Sequence, residues 1–184
     1  MSLRIVAGEW RGRKLSVPKG EETRPTADRT RETLFSMLVS RLGTFEGLAV
    51  ADLFAGSGAL GLEALSRGAA SALFVEQDRA AIDALRANVA ALDAGSCCDV
   101  RSGSVMAMGK ATAQPDVVFM DPPYLTGAGG VALDKLNRLG WIAPSAWIAM
   151  ETERDEAVAV DGFDMDAMRK VGRARITLLR PTRG

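Results

Sequence analysis

The chain has 184 residues, 47% hydrophobic and 25% charged, which is ordinary for a soluble globular protein and long enough for one domain with a substantial core. No apolar run approaches the roughly 20 residues needed to span a bilayer, and Met1-Ser2-Leu3-Arg4 opens no secretory leader, so a cytoplasmic protein with no membrane partner is expected. Its 23 Lys and Arg balance 23 Asp and Glu and there is no His, which excludes His general-base catalysis and His-containing zinc sites.

Cys97 and Cys98 are neighbours and offer neither a disulfide framework nor metal-ligand spacing. Chemistry must therefore use carboxylates, backbone groups, Tyr, Ser or Thr, or an organic cofactor, with no metal. The zero net charge hides an uneven distribution. Basic residues crowd the amino-terminal arm (Arg4, Arg11, Arg13, Lys14, Lys19, Arg24, Arg29, Arg31) and the tail (Arg169, Lys170, Arg173, Arg175, Arg180, Arg183), while acids gather between Glu151 and Asp166. Two basic ends on a neutral domain suggest a positive surface suited to nucleic acid.

In chain order, Leu3-Arg4-Ile5-Val6 reads as a short strand leading into a turn or hairpin, Ala7 to Leu15, that carries Trp10, Arg11, Arg13 and Lys14. Trp10 can either stack on a base or pack on the domain. Arg24-Pro25-Thr26 leads into a helix with Thr26 or Asp28 as N-cap, an apolar face of Leu34, Phe35, Leu38 and Leu42, and a stop at Gly43. A buried strand at 49–54 runs into a glycine turn and a helix over 60–67. A strand at 71–76 and an amphipathic helix from Arg79 to Leu92 follow. A weak strand lies around Asp99–Arg101 and a buried one at 116–120. Gly127–Gly130 reads as a mobile loop, a candidate lid, before a helix near Leu133–Leu139. A strand at 146–150 and a last, antiparallel strand at 175–179 close the chain, with one more strand expected near Ala157–Val160. These elements give residues 1–45 as a basic arm and helix of the same unit, and 46–184 as a doubly wound, mostly parallel α/β sheet.

The stretch Asp52-Leu53-Phe54-Ala55-Gly56-Ser57-Gly58-Ala59-Leu60-Gly61 is the centre of this organisation. Strand, glycine turn and helix present backbone N–H groups to a ligand at the carboxyl end of a sheet. The spacing also fits the dinucleotide fingerprint, and Glu76 closes the next strand where an acid would hold ribose hydroxyls. Asp52 decides between cofactors. A carboxylate inside the strand end suits a ligand ammonium, directly or through water, and not a pyrophosphate. The expected ligand is S-adenosylmethionine (SAM), leaving as S-adenosylhomocysteine, held by Asp52, Phe54, Gly56, Ser57, Gly58, Glu76, Gln77 and Asp121, with Ser104 as the polar group nearest adenine.

Asp121-Pro122-Pro123-Tyr124 ends the buried strand at 116–120. Two prolines stop the ladder and hold Tyr124 in a rigid turn. The exocyclic amine of adenine or guanine is a poor nucleophile because its lone pair is delocalised into the ring. The Asp121 carboxylate and the Pro122 carbonyl would accept its two N–H bonds and aim the lone pair, while Tyr124 stacks on the base.

The combination of residues 4–15 (RIVAGEWRGRKL), Arg24-Pro25-Thr26, Arg31-Glu32-Thr33-Leu34-Phe35, residues 52–64 (DLFAGSGALGLEA) and Asp121-Pro122-Pro123-Tyr124 closely resembles the bacterial 16S rRNA guanine-N2 methyltransferases, the RsmD family. The resemblance runs along nearly the whole chain. It implies a Rossmann-like class I SAM-dependent methyltransferase fold with an antiparallel last strand and an amino-terminal hairpin and helix arm. It also implies transfer of a methyl group to N2 of a guanine in 16S rRNA, in an assembling small subunit, by a monomer. Trp10, Arg11, Arg13, Lys14, Arg24, Thr26 and Arg29 would approach the RNA. Ser104 stands where Asn or Asp is expected, and Tyr124 keeps a ring where some members have Phe. The alternatives are an adenine-N6 methyltransferase on DNA or RNA, a non-catalytic nucleic-acid-binding module, and a nicotinamide oxidoreductase.

Overall fold

The computed structural model describes residues 2–21 and 25–183, apart from the side chains of Pro25 and Thr26. Arg24 therefore lies outside the described residues, as does the side chain of Thr26. Helix α1 (Pro25–Leu42) precedes β1 (Ala49–Leu53), α2 (Ala59–Ser66), β2 (Ser71–Glu76), α3 (Arg79–Ala91), β3 (Cys98–Ser102), β4 (Val117–Met120), α4 (Ala128–Arg138), β5 (Trp147–Glu153), β6 (Phe163–Val171) and β7 (Ala174–Pro181). The strands form one sheet in the order β3-β2-β1-β4-β5-β7-β6. The first five in that order are parallel, and β7 pairs antiparallel with both β5 and β6. This is the expected Rossmann-like, mostly parallel arrangement. Strand order reverses between β1 and β4, so the crevice at their carboxyl ends is where such a sheet takes its ligand.

Alternating side chains feed two cores, one on each face. Val50, Phe74, Val117, Phe119 and Ala149 face α1, α2 and α3 through Phe35, Leu38, Leu62 and Leu85. Ala51, Leu53, Val118, Met120, Ile148 and Met150 face α4 through Leu133 and Leu136, together with Trp141. Among the described residues, no helix is long and apolar enough to cross a membrane.

Three sequence expectations are corrected. The strand before the last is not near Ala157–Val160 but at Phe163–Val171. Of its residues only Phe163 is buried, so the charged Asp164, Asp166, Arg169 and Lys170 of this sheet edge mask its pattern. Gly127–Gly130 is not a free loop. Gly127 (φ 67°) caps α4, and Ala128, Gly129 and Gly130 form its first turn. A Cβ on Gly129 would come 2.6 Å from Met150 Sδ and 3.0 Å from Pro122 Cγ, so the small residue lets the helix start sit against the 121–124 turn. Finally, α1 begins at Pro25, a favoured first helical position, so Thr26 and Asp28 lie within its first turn rather than before it.

The amino-terminal arm is a narrow hairpin closed by the Arg4–Lys14 bridge. It lies against α2: Glu9 N–H donates to the Ser66 carbonyl (2.8 Å) and Trp10 N–H to Ser66 Oγ (3.0 Å). A Cβ on Gly8 (φ 84°) would sit 1.9 Å from the Ser66 carbonyl oxygen, so only glycine permits this approach.

Candidate active site

The glycine turn is built from tightly fitted parts. Phe54 (φ 59°) and Gly56 (φ 57°) adopt left-handed backbone, and Gly58 (φ 85°) is the N-cap of α2. A Cβ on Gly58 would meet Leu85 at 2.3 Å, and one on Gly61 would meet Phe74 at 2.4 Å, so these two glycines seat α2 on the sheet. A Cβ on Gly56 would meet nothing within 4 Å, which leaves its backbone facing open space. Asp52 is buried and accepts a hydrogen bond from Gly61 N–H at 2.9 Å. Burial pushes its carboxyl up to about 8, with the Gly61 N–H opposing and the Glu76 charge adding to the rise.

Glu76 shapes the turn from the next strand. Its carboxylate accepts from Gly56 N–H (2.9 Å), Gln77 N–H (3.1 Å) and Asp78 N–H (3.1 Å). Asn88 of α3, which the sequence reading missed, is buried and donates to the carbonyls of Ser57 and Ser16 (2.9 Å each), tying the glycine turn to the arm.

Two cavities flank this turn. A groove of about 310 Å³ is lined by Phe54, Val75, Glu76, Gln77, Gly103, Val105 and Pro122. A wider cleft of about 1000 Å³ is bordered by Asp52, Gly56, Ser57, Glu151 and Glu153, by the arm at Leu3 and Val17, and by the β6–β7 turn at Gly172 and Arg173. Both cavities reach Phe54, Asp121 and Tyr124. Ser104 does not line the groove. Its hydroxyl oxygen accepts from Met106 N–H (3.1 Å) and caps the 3-10 turn Val105–Ala107, leaving Gly103 and Val105 as the wall.

The donor set fits SAM. The groove is an apolar slot with an acid where ribose hydroxyls would lie, and the cleft side offers Asp52 to an ammonium beside the open backbone of Gly56. Bound there, SAM would supply a methyl group already activated on a sulfonium.

Asp121 and Glu151 come together through strand register. Met120 of β4 is paired with Met150 of β5, and the residue after each is a carboxylate, Asp121 just past β4 and Glu151 within β5. The Asp121 side chain keeps an open face in the cleft while protein crowds it on the other sides. That crowding raises its carboxyl well above the usual range, with the Glu151 and Asp52 charges adding to the rise. The open face moderates the effect. Glu151 is likewise raised by burial, opposed by the hydroxyl of Tyr124, which donates to Glu151 Oε1 at 2.7 Å. The Tyr124 hydroxyl is itself held far above its ordinary range by burial and by Glu151. Tyr124 remains 42% exposed, so its ring is free to take a partner. Glu151 was missed in the sequence. Its signal was the one Asp121 gives: an acid directly after an apolar run.

The predicted RNA-facing residues divide. Arg11, Lys14 and Arg29 are exposed. Arg13 is also exposed, but its Nη2 donates to the Ala91 carbonyl at 2.6 Å, at the carboxyl end of α3. Trp10 is half-buried and packs against the core, the second of its two expected roles. Arg31 and Glu63, both inside motifs noted in the sequence, are buried structural ties. Glu63 accepts from Val6 N–H (2.9 Å) and Ala7 N–H (3.0 Å), pairs with Arg67 at 3.2 Å, and lies 4.0 Å from Arg31 Nε. Arg31 also donates to the Arg4 carbonyl and pairs with Asp28.

The family profile described as Conserved hypothetical protein 95 matches residues 3–180. Ribosomal RNA small subunit methyltransferase D of Escherichia coli K12 is 44% identical over 82% of this chain and 75% of its own length. The protein of the same name in Haemophilus influenzae is 41% identical over 84% of this chain and 80% of its own. Among solved structures, the Escherichia coli protein yhhF, provisionally named a methyltransferase, superposes with a TM-score of 0.85 at 37% identity, covering 100% of both chains.

Proposed function

Because the chain belongs to the RsmD family of ribosomal RNA small subunit methyltransferases, we propose that it transfers a methyl group from SAM to the exocyclic N2 amine of a guanine in small-subunit rRNA. The observation that carries this reading is the meeting of the cofactor groove and the cleft at Asp121 and Tyr124. The groove takes the nucleoside end of the donor, the cleft admits the base, and the acceptor groups stand at the boundary.

The chain's own residues then have separable tasks. The Asp121 carboxylate and the Pro122 carbonyl accept the two amine N–H bonds, turning the nitrogen lone pair toward the donor. A carboxyl raised by its surroundings is also better able to take the proton that the methylated amine must lose. The Tyr124 ring, fixed at its hydroxyl by Glu151, stacks on the base. Stacking is worth about 1–3 kcal/mol per base and offsets much of the few kcal/mol spent in unstacking the target. Alignment supplies most of the remainder, for which pre-organised reactants can give roughly 7–11 kcal/mol. Arg11, Lys14 and Arg29 would contact phosphates of 16S rRNA, in an assembling small subunit.

The test is incubation with labelled SAM and small-subunit particles or rRNA from cells lacking the enzyme, followed by digestion to nucleosides. Label in N2-methylguanosine is the expected result. Label in N6-methyladenosine would keep the machinery and overturn the base, and no label despite SAM binding would point to a binding module.

A further inference from the structure

We infer that Glu151 is the residue that selects guanine over adenine, by accepting the N1–H of the base whose N2 amine lies on Asp121. This rests on the reading above and goes beyond it, because Asp121-Pro122-Pro123-Tyr124 alone would serve either base.

The basis is the pairing of β4 with β5. Met120 opposite Met150 brings Asp121, the residue just past β4, beside Glu151 of β5, on adjacent parallel strands that run about 4.8 Å apart. Residues in register on neighbouring strands project to the same side, and both side chains border the same cleft. Their charges act on one another, the Glu151 charge being the larger of the two that raise Asp121. The cleft thus presents two acceptors where one would suffice to hold an amine.

Guanine is the base whose edge matches two acceptors. Its N2–H and N1–H are neighbouring donors, whereas adenine places the lone pair of N1 beside its amine. A carboxylate at Glu151 gains a hydrogen bond with guanine and meets a lone pair with adenine. Tyr124 keeps Glu151 in the accepting role: its hydroxyl donates to Oε1, leaving Oε2 for the base. The ring that stacks on the base and the group that reads its edge are therefore joined by one hydrogen bond.

The experiment uses the mapped target position in small-subunit rRNA, carrying either guanine or 2-aminopurine and reconstituted into particles. 2-Aminopurine retains the N2 amine but replaces N1–H by a lone pair. Wild-type enzyme should favour guanine by roughly ten- to a hundredfold in kcat/KM, the range for one hydrogen bond to a charged group. In Glu151→Gln, the Tyr124 hydroxyl keeps the amide oxygen and turns the amide N–H₂ toward N1, so the guanine preference should fall at least tenfold. Glu151→Ala, which offers neither donor nor acceptor, should bring the ratio near one. A guanine preference unchanged in both variants would overturn the assignment and leave Glu151 as a support for Tyr124, because such a support lowers both substrates in proportion. A ratio within one variant is also insensitive to partial misfolding. Failure of the functional reading itself shows separately, as wild-type enzyme that makes no N2-methylguanosine.

Discussion

Two groups of carboxylates, one around Glu63 and one around Asp52, Asp121 and Glu151, contrast in how they are satisfied. Around Glu63, which is 0% exposed, every carboxylate oxygen is met by a backbone N–H or a guanidinium. Around Asp52, Asp121 and Glu151, carboxylates face one another, and all three carboxyls are pushed upward. The first group is complete and holds the arm to the domain. The second is incomplete without a ligand whose donors it can receive. Chemically similar residues thus serve opposite ends, and the partners each carboxylate meets separate them.

The sharpest way to break this contrast is Glu63→Ala. It would leave the Val6 and Ala7 amides and two guanidinium groups without their acceptor, and should cost about 3–5 kcal/mol of stability in urea unfolding. The protein that remains folded should still bind SAM. Asp121→Ala should do the reverse, leaving the urea midpoint nearly unchanged and lowering kcat/KM by about 1.5–3 kcal/mol of transition-state stabilisation, with SAM affinity kept. Wild-type turnover by that variant would remove Asp121 from the mechanism.

Tyr124 offers a finer division. Tyr124→Ala should lose stacking worth about 1–3 kcal/mol, seen in kcat/KM for RNA. Tyr124→Phe, which loses only the bond to Glu151, should cost about 0.5–1.5 kcal/mol. Equal losses would mean that the ring does not stack.

A separate effect is on pH. Asp52 titrates near 3.8 when unfolded and near 8 when folded, so the folded chain binds the extra proton between those values. Stability from this group is complete below about pH 4 and is lost as pH rises through about 8. Asp52→Asn should flatten part of that slope in melts at pH 5 and 8, with Asp121 and Glu151 supplying the rest in the same direction. SAM affinity should rise over the same interval in the wild type, as the carboxylate that receives the ammonium ionises, and stay flatter in Asp52→Asn.

What could be read from the sequence was local. The apolar run ending at Asp52, the glycine turn and the Pro-Pro stop after Asp121 each state their geometry within a dozen residues, and the structure places them at one crevice. What could not be read depended on distant partners. Val6 meets Glu63 across 57 positions and Ser16 meets Asn88 across 72, so nothing near either residue announces the bond. Gly127–Gly130 misled because glycine signals a loop by default, and the tight seat against Met150 that calls for Gly129 is a tertiary fact. Strand β6 was displaced because this sheet edge carries charge on four of its nine positions and buries only Phe163. The sequence left Trp10 open between stacking and packing and did not show Arg13 reaching the Ala91 carbonyl, because both contacts are tertiary.

The β6–β7 turn at Gly172 and Arg173 stands on the rim of the wide cleft, whereas the narrow groove is walled by residues that follow β1, β2, β3 and β4. The hairpin tip and the groove therefore lie in different halves of the sheet. Lengthening or recharging that hairpin tip would reshape the rim of the wide cleft without touching the wall of the narrow groove. A designer seeking new targets for this scaffold would begin there, at the tip of an edge hairpin tied to the end of β5 where Arg154 N–H donates to the Arg173 carbonyl.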